Sequence, residues 1–346
     1  MKKLKSLLMA ATIACTATVA AAKDNVLYFY NWSEYIPEEL LQEFEKETGI
    51  KVIYTTYDSN EMMYAKLEQL NGKGYDLVVP STYYVQKMAQ AKLLQPIDKS
   101  KLSNFKYLDP MMLDKEYDPG NQYSIPYIWG ATGIGIHSAE VDPATITSWK
   151  DLWDPKWKNQ LMLMNDPREV FHMALRILGY STNSTDPEEI KEAYELLRQL
   201  MPNAMTFNSD NPGGPYVAGD AVLGMIWNGS AFEAQKEDEE IMMIYPSEGA
   251  IFWMDNLAIP SGAANVDAAM KMINFLLRPE IAAKVSEEIG YPTPNLAAKK
   301  LMDPDFAENP QVFPPAEIIA AGEFQADVGD AVQLYLDYWD KLRAGM

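Results

Sequence analysis

The sequence contains few of the residues that build metal centres and nucleophilic sites. Its 346 residues include one cysteine and two histidines. Because Cys15 lies at the start of the chain, only His137 and His172 remain for a thiolate or imidazole centre, which normally needs several ligands. The chain also lacks a G-x-S-x-G elbow and a glycine-rich phosphate loop. We therefore expect no metal, no cofactor and no catalytic triad, and we interpret both histidines as structural or exposed.

Long hydrophobic runs are absent too, and no segment approaches the roughly 20 apolar residues that a membrane helix needs. The apolar run Leu7–Ala14 follows Lys2, Lys3 and Lys5 and precedes a stretch of small residues. This order is typical of a secretory signal peptide. We predict a signal peptide over residues 1–22, and therefore an exported protein without a membrane helix.

Cys15 leaves one alternative open. A lipoprotein would carry its lipid on this residue, although Thr12 is a poor fit three places before such a cysteine. Removal of the signal peptide would leave a chain without thiols or disulfides. Its stability would then come from a hydrophobic core, which a chain of this length can build, and the length favours two domains with separate cores.

Basic residues are scarce relative to acidic ones. The chain has 29 Lys and Arg against 49 Asp and Glu, a net charge of −20. Such a protein is a poor partner for nucleic acid and for anionic membranes, and a good partner for cations. A solvated acidic surface explains the same charge, so composition alone leaves both interpretations open.

Strand and helix patterns alternate in the first third of the chain. Strands are predicted over LYFY, KVIYTTY and YDLVVPS, and helices over Pro37–Thr48, between Ser59 and Gly72, and over YYVQKMAQAKLL. This alternation indicates an α/β domain with parallel strands. Ligands of such sheets bind beyond the carboxyl ends of the strands. The candidate ligand-binding segments are therefore Trp32 to Tyr35, Tyr57 to Asn60 and Ser81 to Tyr84.

The rest of the chain reads as a second set of strands and helices. YIWGATGIGIH is interpreted as two short extended runs joined by glycines, and NQLMLMN, GMIWNGS and GAIFWMDNLAIP as further strands. Helices are predicted over Arg168–Leu178, Pro187–Leu200 and Val266–Ile289.

Aromatic residues and acids are paired at two places. In an extended segment Trp253 and Asp255 point to one face, and Trp32 and Glu34 repeat this arrangement after the first strand. A single aromatic ring is more often part of a core, but rings beside acids suit an elongated cation with methylene segments, such as a polyamine. A sugar also stacks on tryptophan, but it would need several carboxylates only if it were hydrolysed. Two further aromatic candidates are Trp227 and Tyr291.

Asp166 and Glu169 lie three residues apart in NDPREV. Their spacing alone favours a capping box at a helix start, with proline at the first helical position. A secreted hydrolase that uses them as acid and base is a competing hypothesis. Against it, this spacing gives little of the opposed geometry that glycoside hydrolysis needs.

The chain resembles the periplasmic spermidine/putrescine-binding proteins, a family of bacterial solute-binding proteins. The resemblance extends through the mature sequence and is carried by LYFYNWSEYIPEELLQEFEKETGIKVIYTTYDSNE, YDLVVPSTYYV, YSIPYIWGATGIGI, TFNSDNP, GMIWNGSAF, IFWMDNLAIP, INFLLRPE and IGYPTPNLAAKKL. It implies an α/β fold of two lobes, each a mainly parallel sheet flanked by helices. The implied lobes are 23–131 with 256–300, and 132–255 with 301–346, joined by hinge crossovers near Gly130–Gly135 and near Asp255.

The resemblance also implies a ligand pocket. The matching positions are Trp32, Ser33, Glu34, Tyr35, Ser81, Tyr83, Asp166, Glu169, Ser209, Trp227, Trp253, Asp255, Tyr291 and Gln325. Asp255 is expected to hold a central nitrogen, Glu34 one terminal ammonium, and Asp166 with Glu169 the other. Asn165 stands where a second acid can precede Asp166 in the family, which leaves the preference among polyamines open.

The implied function is capture of a polyamine without chemistry, followed by delivery to the permease subunits of an ATP-driven (ABC) importer in the inner membrane. We expect a periplasmic monomer that prefers spermidine or a related triamine to putrescine, because a shorter diamine leaves a desolvated carboxylate unpaired. A polyamine sensor that docks onto a signalling receptor would use the same pocket and is the alternative.

Overall fold

The computed structural model describes residues 25–33, 35–57 and 59–345. The predicted signal peptide and Glu34 lie outside the described residues. The described residues form ten strands: β1 (Val26–Trp32), β2 (Lys51–Tyr57), β3 (Leu77–Val78), β4 (Ser124–His137), β5 (Leu161–Leu163), β6 (Ala204–Phe207), β7 (Leu223–Trp227), β8 (Ile241–Ile244), β9 (Ile251–Ala258) and β10 (Glu323–Phe324).

The same residues form thirteen α-helices: α1 (Glu38–Thr48), α2 (Asn60–Gln69), α3 (Thr82–Gln90), α4 (Pro167–Leu178), α5 (Pro187–Leu200), α6 (Gly214–Val217), α7 (Asn228–Glu237), α8 (Val266–Leu276), α9 (Pro279–Ile289), α10 (Leu296–Lys299), α11 (Pro304–Ala307), α12 (Ala316–Ala321) and α13 (Val332–Ala344). Short 3-10 helices lie at Lys99–Lys101, Phe105–Tyr107, Pro110–Met112, Pro143–Thr145, Trp149–Trp153, Pro155–Trp157, Met201–Asn203 and Gly329–Ala331.

The strands pair in the order β2-β1-β3-β9-β4-β7-β5-β6, with β8 on β4 and β10 on β9. The predicted parallel pairing is confirmed at both ends of this order, where β1 pairs with β2 and β3, and β5 pairs with β6 and β7. The central strand β4 runs antiparallel to β7, β8 and β9, and β9 runs antiparallel to β3 but parallel to β10. β4 pairs with β9 as far as Thr132 and with β7 from Thr132 onward, so this one strand belongs to both halves of the sheet.

Buried side chains form separate cores on the two halves. One core contains Trp149, Phe171 and Tyr216 and includes residues from 134 to 243 and from 328 to 342. The other contains Phe29 and Phe44 and includes residues from 27 to 128 and from 253 to 289. Two cores agree with what the chain length predicts. The limits of the two lobes stay a prediction.

Local signals explain most of the helix boundaries. α1 follows Pro37 and ends at Gly49, whose φ of 67° is a left-handed conformation that glycine adopts without strain. α4 and α5 each begin with a proline directly after a capping aspartate. These signals are local in sequence, and the predictions based on them are confirmed.

Three predicted elements are wrong in detail. The helix predicted over 266–289 is two helices, because Pro279 has no amide hydrogen to continue α8 and instead starts α9. Residues 228–230 of GMIWNGS begin α7 instead of ending a strand. The glycine-rich run belongs to one continuous strand, Ser124–His137, instead of two short ones. Among the described residues, no helix is long and apolar enough to cross a bilayer, and no group of three or more metal-ligating side chains is present.

Candidate ligand-binding site

Asp255 lies in β9, beside the segments that follow β1 and β3. Ser81 pairs with it in an isolated antiparallel bridge and donates its hydroxyl to Oδ1 at 2.5 Å, while the Tyr35 hydroxyl donates to Oδ2 at 2.7 Å. The residue is 5% exposed. Burial raises its pKa from 3.8 to about 6, and the two hydroxyl donors act in the opposite direction. The result is a desolvated carboxylate held in place by two hydroxyl groups.

Aromatic rings line the same region. The Trp253 ring lies 5.3 Å from the Tyr291 ring and 6.4 Å from the Trp227 ring, both at steep angles. Both indole N–H groups, of Trp227 and Trp253, are buried and have no hydrogen-bond partner in the structure. Since buried polar groups are normally hydrogen-bonded, these two donors mark a place where a polar ligand atom would be accommodated.

The rings of Trp227, Trp253 and Tyr291 form an aromatic wall, and Gly130 in β4 leaves the space that the Trp253 ring occupies. A Cβ at this position would come within 2.3 Å of Cζ2 of Trp253. We expect Gly130→Ala to displace the indole and to weaken ligand binding by about tenfold, roughly the loss of one aromatic contact with a cation. Overpacking should also lower the free energy of unfolding by about 1–3 kcal/mol.

A control for this prediction is available on the same strand. A Cβ at Gly133 would meet the Ile244 carbonyl oxygen at 2.8 Å and the Met243 side chain, away from Trp253. Gly133→Ala should therefore destabilise the fold to a similar degree without changing the affinity. Calorimetric titration and thermal unfolding of both variants make the comparison; equal affinities for the two would contradict the role of Gly130.

Asp166 caps α4. Its Oδ1 accepts hydrogen bonds from the backbone N–H groups of Arg168 at 2.7 Å and Glu169 at 3.2 Å, which confirms the predicted cap. Burial raises the pKa of Asp166 to about 6, and the charge of Glu61 adds to this rise. The backbone N–H groups and the Arg168 guanidinium lower it. Asp166 can therefore cap α4 and also present a negative charge to a ligand.

Glu169 does not complete the predicted capping box. Its side chain turns inward, where Oε1 accepts from Nε2 of Gln325 at 3.3 Å and Oε2 is buried with no hydrogen bond. Burial, and then the charge of Asp166, raise its pKa well above the ordinary value. Thr132 and Trp227 lie close enough to lower that pKa, although neither makes a hydrogen bond of normal geometry to it.

Two charged residues near these acids were missed by the sequence analysis. Glu61, in the first turn of α2, accepts a hydrogen bond from the Tyr84 hydroxyl at 3.0 Å. Arg168 is buried, donates to the Ala326 carbonyl oxygen at 3.3 Å, and lies 5.8 Å from the ring of Tyr83. Glu61 directly follows the candidate segment after β2, so its position in the sequence could have indicated a place near the site. Arg168 has the sequence context of an ordinary helix residue and gave no such indication.

Of the remaining predicted residues, Gln325 contacts Glu169 directly. Gln325 is buried, and its backbone carbonyl oxygen accepts a hydrogen bond from the Thr82 hydroxyl at 2.6 Å. The hydroxyl oxygen of Ser209 accepts a hydrogen bond from the backbone N–H of Asn165 at 2.9 Å, directly before α4. The indole N–H of Trp32 donates to the Val79 carbonyl oxygen at 2.9 Å. Ser33 is exposed in the turn after β1, and Glu34 lies outside the described residues.

Comparison with known proteins decides the family. A family model described as bacterial extracellular solute-binding protein matches residues 39–314. The chain belongs to the bacterial extracellular solute-binding proteins. It is 58% identical over 342 residues to the spermidine/putrescine-binding periplasmic protein of Salmonella typhimurium, covering 99% of this chain and 98% of that protein. The protein of the same name from Escherichia coli matches to the same extent.

A solved structure of a solute-binding relative supports the fold. The putative spermidine/putrescine ABC transporter of Listeria monocytogenes has a TM-score of 0.88 and 38% sequence identity, covering 93% of this chain and 100% of that one. The predicted two-lobed α/β fold is thereby confirmed, as are the stated family resemblance and the prediction of a binding protein instead of an enzyme. Membership in an extracellular family places this solute-binding protein outside the cytoplasm.

Proposed function

We propose that the protein binds a polyamine in the periplasm and delivers it to the permease subunits of an ABC importer. The observation that carries this proposal is the presence of two acidic positions beside the rings of Trp227 and Trp253: the buried Asp255, and the pair of buried Glu169 and half-buried Asp166. A cation with several amines matches several acids. The names of the relatives, which carry spermidine and putrescine, point to the same ligand class.

The chemistry of the site favours ammonium groups. A buried carboxylate without a partner costs free energy, and a charge-assisted hydrogen bond from an amine recovers it. In this proposal Asp255 binds the central nitrogen, Glu169 with Asp166 binds one terminal ammonium, and Glu34 the other. The rings of Trp253 and Tyr291 cover the methylene segments and attract the charge, contributing roughly 0.5–2 kcal/mol each. The polar positions Ser33, Ser209 and Gln325 complete the proposed pocket.

Selectivity follows from the number of acids. A triamine satisfies all of them, whereas a diamine such as putrescine leaves a desolvated carboxylate unpaired at a cost of roughly 1–3 kcal/mol. We therefore propose a preference for spermidine or a related triamine. The acidic character of the protein, with net charge −20, would assist capture of a polycation.

The two lobes would close on the ligand about the crossovers formed by β4 and β9. β4 contributes side chains to both cores and pairs with β9, and the two strands carry Gly130, Trp253 and Asp255. Closure then completes the box of rings and acids and produces the form that the permease recognises. Export by a cleaved signal peptide and a monomeric state are parts of the same proposal.

A panel of ligands tests this function. Thermal unfolding of the purified mature protein is followed with diamines, triamines, amino acids and sugars, because a ligand of the folded state raises the melting temperature. Triamines should give the largest increase, and calorimetry should show spermidine binding about tenfold or more tighter than putrescine. Putrescine binding as tightly as spermidine would contradict the proposed preference, and a response to sugars alone would contradict the function.

A further inference from the structure

Asn60 is the last residue of the candidate segment Tyr57 to Asn60 and is not among the fourteen implied pocket positions. It is the first residue of α2 and is 4% exposed. Its Oδ1 accepts the backbone N–H of Ser81 at 3.1 Å. Its Nδ2 donates to the hydroxyl oxygens of Ser81 at 3.0 Å and Tyr83 at 3.3 Å. A buried amide therefore contacts two residues of the proposed pocket.

The direction of these hydrogen bonds is fixed by chemistry. The Ser81 backbone N–H can only donate, so the amide oxygen of Asn60 must face it, and the amide nitrogen must face the hydroxyl groups. An amide nitrogen only donates, so the Ser81 oxygen must accept from it. The single hydroxyl hydrogen of Ser81 is then left for Oδ1 of Asp255, at 2.5 Å.

We propose that Asn60 is a positioning residue that fixes the Ser81 hydroxyl as a donor to Asp255 and thereby sets the affinity of the site for the ligand's amine. The direction of these hydrogen bonds, from Asn60 to Ser81 and from Ser81 to Asp255, follows from the distances above and from which of these groups can donate a hydrogen. The link to affinity rests on the proposed polyamine-binding function.

The consequence is a carboxylate kept in its charged form. Both oxygens of Asp255 receive a hydroxyl donor, from Ser81 and from Tyr35, and each oxygen keeps a lone pair for an ammonium group. Without the Asn60 amide, the Ser81 hydroxyl can rotate away and the charged form loses one donor. Within the described residues, the charge of Asp255 raises the pKa of five neighbouring tyrosines, Tyr35, Tyr57, Tyr117, Tyr127 and Tyr291.

These tyrosines do not titrate near neutral pH, because burial raises the pKa of every one of them. Because the pKa of Asp166 is also raised to about 6, the titration of Asp255 has to be followed at its own carboxyl carbon, where a shift in the midpoint reports on the donors to that carboxylate.

Asn60→Asp is the decisive variant. The new carboxylate still accepts the Ser81 backbone N–H, but it cannot donate, and it competes with Asp255 for the Ser81 hydroxyl hydrogen. We expect spermidine affinity to fall by about tenfold or more in spite of the added negative charge, since hydrogen bonds to charged groups are the strong ones. The midpoint of the Asp255 titration, followed at its carboxyl carbon by NMR, should move upward. Affinity equal to or above that of the wild type, with an unchanged midpoint, would overturn the proposal.

A double-mutant cycle separates positioning from a general structural effect. Ser81→Ala should weaken binding to a similar degree, and Asn60→Asp added to Ser81→Ala should have little further effect. Additive losses would indicate that Asn60 acts through the fold and would also overturn the proposal. Asn60→Ala, which removes the donor without adding charge, should weaken binding in the same direction.

The titration of Asp255 in the ligand-free protein keeps this proposal distinct from the proposed function. Carboxyl carbon NMR should show a higher midpoint for Asp255 in Asn60→Ala, which adds no charge, than in the wild type. If the wild type binds no polyamine but this shift appears, the proposed function fails and the hydrogen-bond polarity holds. If the wild type binds spermidine and the shift is missing, the role of Asn60 is wrong.

Discussion

Asp255→Asn should lower the affinity for spermidine by about 10- to 100-fold while leaving the protein folded. The substitution keeps the shape of the side chain but removes the charge, so the ligand's central amine loses a charge-assisted hydrogen bond. An amide nitrogen in place of one oxygen would also face a hydroxyl group, either Ser81 at 2.5 Å or Tyr35 at 2.7 Å. Calorimetric titration of the purified variant at pH 7.5 measures the change.

The same substitution should stabilise the ligand-free protein. Burial raises the pKa of Asp255 from 3.8 to about 6 in the folded state. A carboxyl group with a raised pKa favours the folded state most when it is protonated, and that contribution is lost as pH rises through about 6. At pH 7.5 the charged form therefore costs about 3 kcal/mol by the usual conversion, which is an upper bound because the hydroxyl donors adapt. The melting temperature without ligand should rise in the variant.

Asp220→Asn provides the matched control. Asp220 is an exposed residue after α6, so the variant carries the same change in net charge with no effect on the pocket. Its affinity and melting temperature should equal those of the wild type. If Asp255→Asn changes spermidine affinity by less than about threefold, the assignment of Asp255 to the central nitrogen is wrong.

Much of the fold was predictable because its signals are local. Pro37 and Gly49 delimit α1, and Asp166 with Pro167 starts α4, since capping and backbone preferences act over a few residues. The antiparallel centre of the sheet was not predictable in this way. Whether β4 pairs with β9, with β7 or with both depends on contacts between residues 87 to 134 positions apart in sequence, and these leave no periodic signal.

The candidate site was predictable only in part. Strand position and the pairing of rings with acids indicated Asp255 and Trp253, and the capping pattern indicated Asp166. That pattern also predicted the wrong partner for Glu169, because burial against Gln325, 156 residues away in sequence, outweighs the local capping option. Asn60 was included in a candidate segment only as its last residue, since its role depends on the distant Ser81.

Proton release on ligand binding is the second large effect that we expect. Burial raises the pKa of both Asp166 and Glu169 in the ligand-free protein, the charge of Glu61 adds to the rise at Asp166, and the charge of Asp166 adds to the rise at Glu169. Near neutral pH the pair therefore retains part of one proton. An ammonium group favours the fully ionised pair, so binding should expel that proton. The alkylammonium groups of the ligand, with pKa values near 10, stay charged throughout this range.

The affinity for spermidine should accordingly rise between about pH 6 and pH 8, by up to tenfold per pH unit for one linked proton. The stability of the ligand-free protein should change in the opposite direction. Acids whose pKa is raised by folding contribute stability that is lost as pH rises through the folded pKa, so the melting temperature without ligand should fall over the same range. Calorimetry at pH 7 in two buffers of different ionisation enthalpy measures the released proton directly.

Glu169→Gln separates this linkage from the titration of Asp255. The variant retains no proton near neutral pH, because Glu169, whose pKa is raised to about 8, is replaced by an amide and Asp166 titrates near 6. Above pH 7 its affinity should be nearly independent of pH and about tenfold or more below that of the wild type at pH 8. Glu188→Gln, on the exposed face of α5, should retain the wild-type profile. A wild-type affinity that does not change between pH 6 and pH 8 would show that these acids are already ionised before the ligand arrives, and that Glu169 does not bind its ammonium group.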